Sequence, residues 1–343
     1  MRPSAPLPPN PPSPLPAPPR RGWKALALAG FVGLALAAGC GARHEAPLSI
    51  GTNTWVGYEP LYLARDLGLH EGLALRLVEL GSTTQAMDAL RVGSLDVAGL
   101  TLDETLTLLH EGVPISVVWV MNISAGADAV LAQADVPDLA SLRGRRIGVE
   151  QTALGAYMLD AALRHAGLKA EDVTIVPLPV DEHVSAWSTG AVDALVTFDP
   201  PRQMLLDTGA RTMFDSRQIP GQIVDVLVAR RAALQCCAAR IAQLIASQQQ
   251  ALAHLQAQPQ DALQRMAPRL GLSPEGVAAA LAGMELPDGA ANQRLLAGAN
   301  PPLAQTAGQL MQAMWQQGLL PRQPDLGQLI DDRFAHTSAE QTP

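Results

Sequence analysis

From residue 47 onward, short β-type runs alternate with segments of helical periodicity, and this alternation restricts the fold more than any other feature. The first series has β-type runs at 48–52, 75–79, 96–99 and 115–121, separated by helical patterns at 59–66, 85–91 and 103–110. The second series has β-type runs at 146–149, 173–176, 193–196 and 212–214, separated by helical patterns at 154–166, 183–189 and 201–206. Such alternation predicts mostly parallel sheets with helices on both faces.

The remainder of the chain differs from these two series. A β-type run at 224–228 is interpreted as a hinge strand that returns the chain to the first lobe. Beyond residue 230 the sequence is rich in Ala, Gln and Leu, and the prolines that should divide its helices are Pro259, Pro268, Pro274, Pro287, Pro301 and Pro302. The sequence therefore predicts two α/β lobes around a cleft, followed by a helical C-terminal tail.

The first forty residues have the features of a targeting segment. A proline-rich stretch, which cannot form a helix or a central strand, is followed by Arg20, Arg21 and Lys24 and then by an apolar run over 25–38. A basic region before a short apolar run is typical of a secretory signal, and this run is shorter than the ~20 residues of a spanning helix. The run ends in small residues before Cys40, a pattern that resembles a bacterial lipobox with Cys40 as the lipidated residue. The alternative is an ordinary signal peptide that contains a cysteine.

The charge of the chain excludes one class of partner. The full sequence has a net charge of −8, and removal of the first forty residues leaves 20 basic and 32 acidic residues, or −12. Such a surface repels nucleic acid and anionic lipid. Since no basic patch with interleaved aromatic residues is present, nucleic-acid binding is rejected.

The cysteines and histidines indicate no metal site. Apart from Cys40, the only cysteines are Cys236 and Cys237, which are adjacent. A bridge between neighbours requires a strained ring, so the two are predicted to be unpaired helical cysteines. The histidines are scattered without metal-ligand spacing. Neither a metal nor a cofactor is expected.

The loops that follow the β-type runs form the candidate site, because ligands of open α/β sheets bind beyond the carboxyl ends of the strands. The first loop contains Asn53, Trp55 and Tyr58, whose aromatic faces could pack on a ligand while the polar atoms orient it. Tyr62, slightly further on, is expected to pack into the core. The remaining polar loops contribute Ser82, Thr83, Thr101, Asp103, Ser124, Gln151, Thr152 and Asp199. For the hydroxyl residues that begin helices, capping and ligand contact remain equal alternatives.

Several of these segments resemble the nitrate/sulfonate/taurine (NitT/TauT) family of ABC-transporter solute-binding proteins, which includes thiamine-precursor binders. The resemblance rests on the segments at 55–65, 124–128, 148–150, 189–194 with 198–200, and 214–221, and it covers roughly residues 48–230. The order and spacing of these segments are specific, whereas the helical tail matches only loosely.

The resemblance implies a type II periplasmic-binding-protein fold whose two lobes close on the ligand. Residues 41–128 and 225–335 would form lobe 1, and residues 129–224 would form lobe 2, after a leader at 1–40. The cleft positions of the family map onto Asn53, Trp55, Tyr58, Ser82, Thr83, Thr101, Asp103, Ser124, Gln151, Thr152 and Asp199.

The chemistry of the loops bears on the ligand. They supply Ser and Thr but no Lys or Arg, and they carry the carboxylates Glu59, Asp103, Asp128, Glu150 and Asp199. A desolvated carboxylate that faces an anion is unfavourable, so a neutral or amine-bearing solute is favoured over sulfonate or nitrate, for example a pyrimidine-like vitamin precursor stacked on Trp55. Each acid also has a structural alternative: Asp128 as a hinge residue, Asp199 as a helix cap and Glu59 as a helix-dipole partner.

The sequence thus predicts an extracytoplasmic, monomeric lipoprotein that captures a small polar organic solute and delivers it to an ABC permease and its ATPase. It would touch the membrane only through its lipid anchor. One alternative is a ligand sensor that docks on a membrane signalling partner. Another is an enzyme similar to thiamine-pyrimidine synthase, but no nucleophile elbow, P-loop or dinucleotide fingerprint is present and no catalytic residue is assigned.

Overall fold

The computed structural model describes residues 46–336, and this region begins with three successive β–α units. These units are β1 (Leu48–Thr52) with α1 (Glu59–Asp66), β2 (Leu75–Glu79) with α2 (Thr83–Val92), and β3 (Val97–Thr101) with α3 (Leu102–His110). Strands β1 and β3 are buried over their whole length because they lie inside the sheet, whereas β2 alternates in exposure because it lies at the edge.

Three further strands complete a six-stranded sheet, namely β4 (Ile115–Ser124), β10 (Val224–Arg230) and β11 (Met284–Glu285). The strand order is β11-β4-β10-β3-β1-β2, with β1, β2 and β3 parallel and β10 antiparallel to both β3 and β4. Strand β4 extends three residues beyond the predicted run, since Asn122 and Ile123 pair with the first residues of β10.

The second sheet repeats this arrangement with five strands. They are β5 (Ala129–Ala132), β6 (Arg146–Val149), β7 (Thr174–Pro177), β8 (Ala194–Thr197) and β9 (Arg211–Asp215), and the helices between them are α4 (Ala153–His165), α5 (His183–Ser188) and α6 (Pro201–Asp207). The order is β7-β6-β8-β5-β9, with β6, β7 and β8 parallel and β5 antiparallel to both neighbours. In both sheets the first parallel strand therefore lies between the second and the third.

The chain crosses between the sheets twice, from β4 to β5 and from β9 to β10, and the two connections lie side by side. The hydroxyls of Ser124 and Ser216 are 2.8 Å apart, and the backbone N–H of Gly126 donates to the Ser216 hydroxyl at 2.6 Å. The backbone N–H of Ser216 donates to the carbonyl of Asp128 at 3.0 Å. Two α/β halves joined by two adjacent crossovers confirm the predicted architecture.

The chain beyond β10 is mainly helical, as predicted. It contains α7 (Arg231–Cys236), α8 (Ala238–Ala257), α9 (Pro259–Leu270), α10 (Pro274–Leu281), α11 (Gly289–Leu296), α12 (Pro302–Gln316) and α13 (Arg333–His336). Pro259, Pro274 and Pro302 each begin a helix, where the missing N–H has no intrahelical partner to lose. The prediction that Pro268 separates two helices is wrong, because it lies in the last turn of α9, two residues before that helix ends.

A cluster of ion pairs joins the C-terminal tail to α1 and to the edge strand β2 of the first sheet. Arg269 of α9 pairs with Glu59 of α1 and Glu79 of β2, and its guanidinium lies 3.6 Å from the ring centre of Tyr62. The Tyr62 hydroxyl is 2.7 Å from the hydroxyl of Thr52, and its side chain is buried in the core as expected. Burial raises the pKa of Glu59 from 4.5 to about 7, and Arg269 opposes this rise.

The prediction for the adjacent cysteines is wrong, because the structure joins Cys236 and Cys237 in a disulfide. Cys236 ends α7, and Cys237 has φ −133° and ψ 20° between α7 and α8. The pair therefore stands at a junction between two helices and not inside one helix, where a bridge between neighbours would be incompatible with the backbone.

The predicted targeting segment and Cys40, the predicted lipidation residue, lie outside the described residues, as do residues 337–343. Within 46–336, no helix combines the length and apolar character needed to cross a membrane.

Candidate ligand-binding cleft

Two neighbouring cavities lie between the halves, beside the carboxyl ends of strands from both sheets. They share Thr83, Glu104, Asp128, Leu154 and Phe198. The first is completed by Asn53, Trp55, Tyr58, Thr101 and Asp225, and the second by Glu150, Thr152, Gly155, Met158, His183, Val196 and Thr197. The space open to the centre of a water molecule is about 10 Å³ in the first and about 20 Å³ in the second. Each therefore has room for only one or two waters.

A buried hydrogen-bond network fixes the aromatic wall of the first cavity. The Tyr58 hydroxyl donates to Oδ1 of Asp225 at 2.6 Å. The Asn122 amide donates to Oδ2 of Asp225 at 2.9 Å, and its oxygen accepts from the indole N–H of Trp55 at 3.2 Å. The pKa of Asp225 lies well above its usual range, first because of burial. The donors of Trp55 and Tyr58 are thus used inside the protein, and both residues offer mainly ring surface to a ligand.

The backbone of β3 makes room for this wall. A Cβ atom at Gly99 would lie 2.7 Å from the ring of Tyr58, so any other residue at this position would displace the tyrosine. The absence of a side chain at Gly99 lets the Tyr58 ring rest directly on the sheet and reach Asp225 on the neighbouring strand.

Glu104 lies in the first turn of α3 and lines both cavities. Its Oε2 atom accepts the backbone N–H of Thr101 at 2.9 Å, which is one half of a capping box, and its side chain is buried against both cavities. Burial, followed by the neighbouring Asp103, raises the pKa of Glu104 well above its usual range.

Asp128 contributes a second buried carboxyl group, at the first crossover. It is 4% exposed, and its Oδ2 atom has no hydrogen-bond partner among the described residues. Burial raises the pKa of Asp128 from 3.8 to about 7, and the carboxylates of Asp199 and Asp103 add to the rise. Ser124 and the guanidinium of Arg202, which pairs with Asp199, oppose it. Asp128 lines both cavities, and its orphaned buried oxygen lacks the N–H or O–H donor that a ligand could supply.

Two contacts join the halves across the cavities. The Trp55 ring packs edge-on against Phe198, with centroids 5.4 Å apart and an interplanar angle of 87°. Oε1 of Glu150, after β6, accepts both the backbone N–H of Thr84 at 3.2 Å and its hydroxyl at 2.9 Å. In this structure the loops of the two halves are therefore in direct contact.

His183 lies in the wall of the second cavity as a neutral, fully bonded ring. Its Nε2 is 3.2 Å from the carbonyl of Leu178, so this nitrogen carries the proton and donates, and its Nδ1 accepts from the Thr197 hydroxyl at 2.9 Å. Burial lowers the pKa of His183 to about 4. With both nitrogens engaged, the ring supports Thr197 and has no nitrogen free for proton transfer.

Six of the eleven predicted site residues line the cavities, namely Asn53, Trp55, Tyr58, Thr83, Thr101 and Thr152. Asn53 donates from its amide to the Thr83 hydroxyl at 2.8 Å, which joins the loops after β1 and β2. Thr152 also caps α4 by accepting the backbone N–H of Gly155 at 3.2 Å. Capping and exposure to a cavity therefore coexist at Thr152.

The other five predicted residues do not line either cavity, and their role in binding remains a prediction. Ser82 caps α2 by accepting from the Gln85 N–H, and Ser124 is held in the crossovers by Ser216. The remaining three are Gln151, which is exposed, Asp103, which is buried at the start of α3, and Asp199, which accepts from the N–H of Gln203 and pairs with Arg202.

Sequence reasoning left several wall residues out of the predicted site. Asp225 lies in the otherwise apolar first part of β10. An acidic residue in such a run indicates a buried carboxyl group, and this could have been read from the sequence. Glu104 completes a Thr-x-x-Glu capping pattern with Thr101, which is readable from sequence. The apolar residues Leu154, Met158, Val196 and Phe198 carry no such signal. Among residues 46–336, no group of three or more His, Cys, Asp or Glu side chains is placed to hold a metal ion.

Comparisons with known proteins agree with this architecture. Over 147 residues the chain is 29% identical to the taurine-binding periplasmic protein of Escherichia coli K12, covering 42% of this chain and 45% of that protein. The chain thus matches less than half the length of that relative.

Solved structures share the fold. The alkanesulfonate-binding protein SsuA of Xanthomonas axonopodis pv. citri, bound to MOPS, aligns with a TM-score of 0.70 and 22% identity, over 82% of this chain and 97% of that one. The desulfurization enzyme DSZB aligns with a TM-score of 0.62 and 19% identity, over 85% of this chain and 99% of that one. The periplasmic-binding-protein fold predicted from the resemblance is thereby confirmed.

Residues 41–270, two thirds of the chain, match the NMT1-like family. This match covers the strands from β1 to β10 and the first three helices of the tail, but not β11. The chain belongs to the NMT1-like family.

Proposed function

We propose that this protein is an extracytoplasmic solute-binding protein of an ABC importer. It captures a small polar organic solute between its two halves and delivers it to the permease and ATPase subunits. The observation that carries the proposal is the pair of cavities lined from both sheets, with Trp55 and Phe198 in contact across them. The names of its relatives, a taurine-binding and an alkanesulfonate-binding protein, support the same class.

Binding requires opening of the halves, because neither cavity has room for more than one or two waters. The adjacent crossovers around Ser124 and Ser216 are suited to a hinge, since few residues there need to change conformation. We place lobe 1 at 41–128 and 225–335 and lobe 2 at 129–224. The solute favours the closed form through contacts that it makes only there.

The solute in this proposal is neutral or carries an amine. Glu104, Asp128 and Asp225 line the first cavity, and within 46–336 no Lys or Arg lines it and no donor bonds to Oδ2 of Asp128. An ammonium or N–H donor would satisfy that oxygen, whereas a sulfonate next to it would meet like charge. Taurine, named for the Escherichia coli relative, carries an ammonium group as well as a sulfonate. Asn53, Trp55, Tyr58, Thr83, Thr101 and Thr152 are the proposed contact residues.

We propose binding without a chemical reaction. Of the described residues, no cysteine lines the cavities, and the single histidine that does, His183, has both nitrogens engaged. The disulfide of Cys236 and Cys237 lies at the junction of α7 and α8, outside both cavity walls. The enzyme DSZB, which shares the fold, makes consumption of the ligand the outcome to check.

The location of the protein is proposed on the extracytoplasmic side, as a monomer held to the membrane by a lipid on Cys40. The support is the basic and apolar leader before Cys40 in the sequence and the similarity to a periplasmic protein of Escherichia coli. A solute sensor that docks on a membrane signalling protein remains the second candidate. Copurification with a permease or with a signalling protein separates the two.

The proposal is tested by a thermal-shift screen of residues 41–343, first unfolded and refolded to remove carried-over ligand. The panel contains simple amines, thiamine pyrimidines, riboflavin, taurine, alkanesulfonates and nitrate. A ligand at 100 times its Kd stabilises the protein by about 2.7 kcal/mol, which raises Tm by roughly 4 °C in a chain of this length. Trp55→Ala should abolish the shift, and Trp315→Ala, which removes an exposed tryptophan of α12, should keep it. No shift with any solute, or consumption of a bound solute, contradicts the proposal.

A further inference from the structure

The N-terminus of α2 is the place in the cleft wall best suited to an anion, and a carboxylate of the protein already occupies it. This ten-residue helix begins at Thr83, after the cap residue Ser82. The first N–H groups of a helix have no intrahelical partner and point toward the positive end of the helix dipole, so they attract anions. Here the N–H of Gln85 is taken by Ser82, and the N–H of Thr84 is taken by Glu150.

Glu150 reaches this helix from the other half of the molecule. It follows β6 of the second sheet, is 6% exposed, and accepts both the N–H and the hydroxyl of Thr84 on the same oxygen. A carboxylate bonded to two donors at a helix start makes the interaction that a bound sulfonate or phosphate would make there. Glu150 therefore stands where the charged group of an anionic ligand would otherwise bind.

The second cavity independently indicates that the cleft disfavours anions and favours ligands with a donor group. Glu150 and Asp128 line it together, and Oδ2 of the buried Asp128 faces no donor in the described residues. An anion that entered this cavity would meet the carboxyl groups of Asp128 and Glu150 and would find the Thr84 donors already used. A ligand with a donor group could instead bond to Oδ2 of Asp128, for which no donor of the described residues competes.

We propose that Glu150 is a specificity-determining residue, which fills the anion-binding end of α2 from the opposite lobe and thereby excludes anionic solutes from the cleft. The inference rests on the proposed function, since it concerns which solutes the same cleft admits. Glu150 also ties the lobes in the closed form, so its removal weakens the binding of the solute that the wild type prefers.

The test measures the binding of ethanesulfonate by isothermal titration calorimetry to the refolded chain and to three variants. Glu150→Ala frees the Thr84 donors and should raise the affinity for ethanesulfonate at least tenfold over the wild type. Glu150→Gln keeps the side-chain size and an acceptor oxygen but removes the charge. Its affinity for ethanesulfonate should therefore lie between those of the wild type and Glu150→Ala. Asp181→Ala is the matched control, because it removes an exposed carboxylate close to Gly81, just before the helix, that does not bond to Thr84.

Ethyl methyl sulfone is the uncharged probe and should gain no affinity in Glu150→Ala, which separates charge from added space. For any neutral or amine-bearing solute that the screen finds for the wild type, Glu150→Ala should weaken binding while it strengthens ethanesulfonate binding. A residue with only a structural role would weaken both.

Equal sulfonate affinity in the wild type and Glu150→Ala, or an equal gain in Asp181→Ala, overturns the inference. If the wild type binds a solute of the screen and Glu150→Ala gains nothing for sulfonate, the inference fails and the solute-binding function stands. If no variant binds any solute, both fail. If Glu150→Ala does not fold, the charge-free Glu150→Gln decides by the same comparison.

Discussion

Replacement of Asp128 with asparagine should make the free energy of unfolding of the ligand-free protein depend less steeply on pH. The change in slope should correspond to about one titrating proton. The carboxyl group is buried, one of its oxygens has no partner, and its pKa is raised from 3.8 to about 7, mainly by burial. Asp103 and Asp199 face it with negative charge, whereas Arg202 and the Ser124 hydroxyl stabilise its ionised form. Asparagine has nearly the same shape and does not titrate.

The sign of the effect follows from the two pKa values of Asp128. Below pH 3.8 the group is protonated in both the folded and the unfolded chain, and its contribution to stability is complete. Between pH 3.8 and about 7 the folded protein retains a proton that the unfolded chain has lost, so stability falls as pH rises, by about 1.4 kcal/mol per pH unit. The total loss from this group is about 4 kcal/mol, and it is complete just above pH 7.

Urea denaturation at pH 5, 6, 7 and 8 measures this contribution directly. Between pH 5 and pH 7 the free energy of unfolding should fall by about 2 kcal/mol more in the wild type than in Asp128→Asn. Asp135→Asn is the control, because it removes a carboxylate whose side chain is 64% exposed. Parallel curves for the wild type and Asp128→Asn would refute the reasoning, since they would mean that Asp128 is ionised in the folded protein throughout this range.

Three further predictions concern the aromatic wall, the tail and the ligand. Tyr58→Phe removes a donor to the buried Asp225 and should lower stability by about 1–3 kcal/mol in urea denaturation; an unchanged stability would contradict the bond. Arg269→Met leaves Glu59 buried without its cation and should lower the free energy of unfolding by about 3–5 kcal/mol. The double variant with Glu59→Gln should recover part of this loss, and no recovery would mean that the loss comes from the contact of Arg269 with Tyr62. The affinity for an ammonium solute should fall up to tenfold per pH unit below pH 7 in calorimetric titrations, because Asp128 must lose its proton, whereas affinity that rises on acidification would indicate an anionic solute.

The fold could be predicted because its signals are local. The β-type runs at 48–52 and 75–79 coincide with β1 and β2, and the helical pattern at 59–66 coincides with α1. Strand β5 was missed because it has only four residues, two of them alanine, and its pairing with β8 and β9 is set by distant parts of the chain. The disulfide at Cys236 was missed because the break between α7 and α8 leaves no glycine or proline in the sequence at that point.

The site could be predicted only to the level of loops. Position beyond a strand end placed Trp55 and Thr101 at the cleft, but the direction of a side chain depends on partners that lie far away in sequence. Asp199 turns into its own half because Arg202 and the N–H of Gln203 bind it. Asp225 joins the wall because it meets Tyr58, which is 167 residues away in the chain.

The buried carboxyl groups of the cleft connect stability with binding. Asp128, Glu104 and Asp225 are each buried with a raised pKa, and none of them forms an ion pair with another described residue. Closure without a ligand therefore carries a desolvation cost. In the proposed function, a solute that brings donors to Oδ2 of Asp128 offsets this cost, and a solute without them does not. Closure thus depends on the chemistry of the solute and not on its size alone, because only differential affinity for the closed form shifts the population toward it. The same groups that lower the stability of the empty protein therefore make its closure selective.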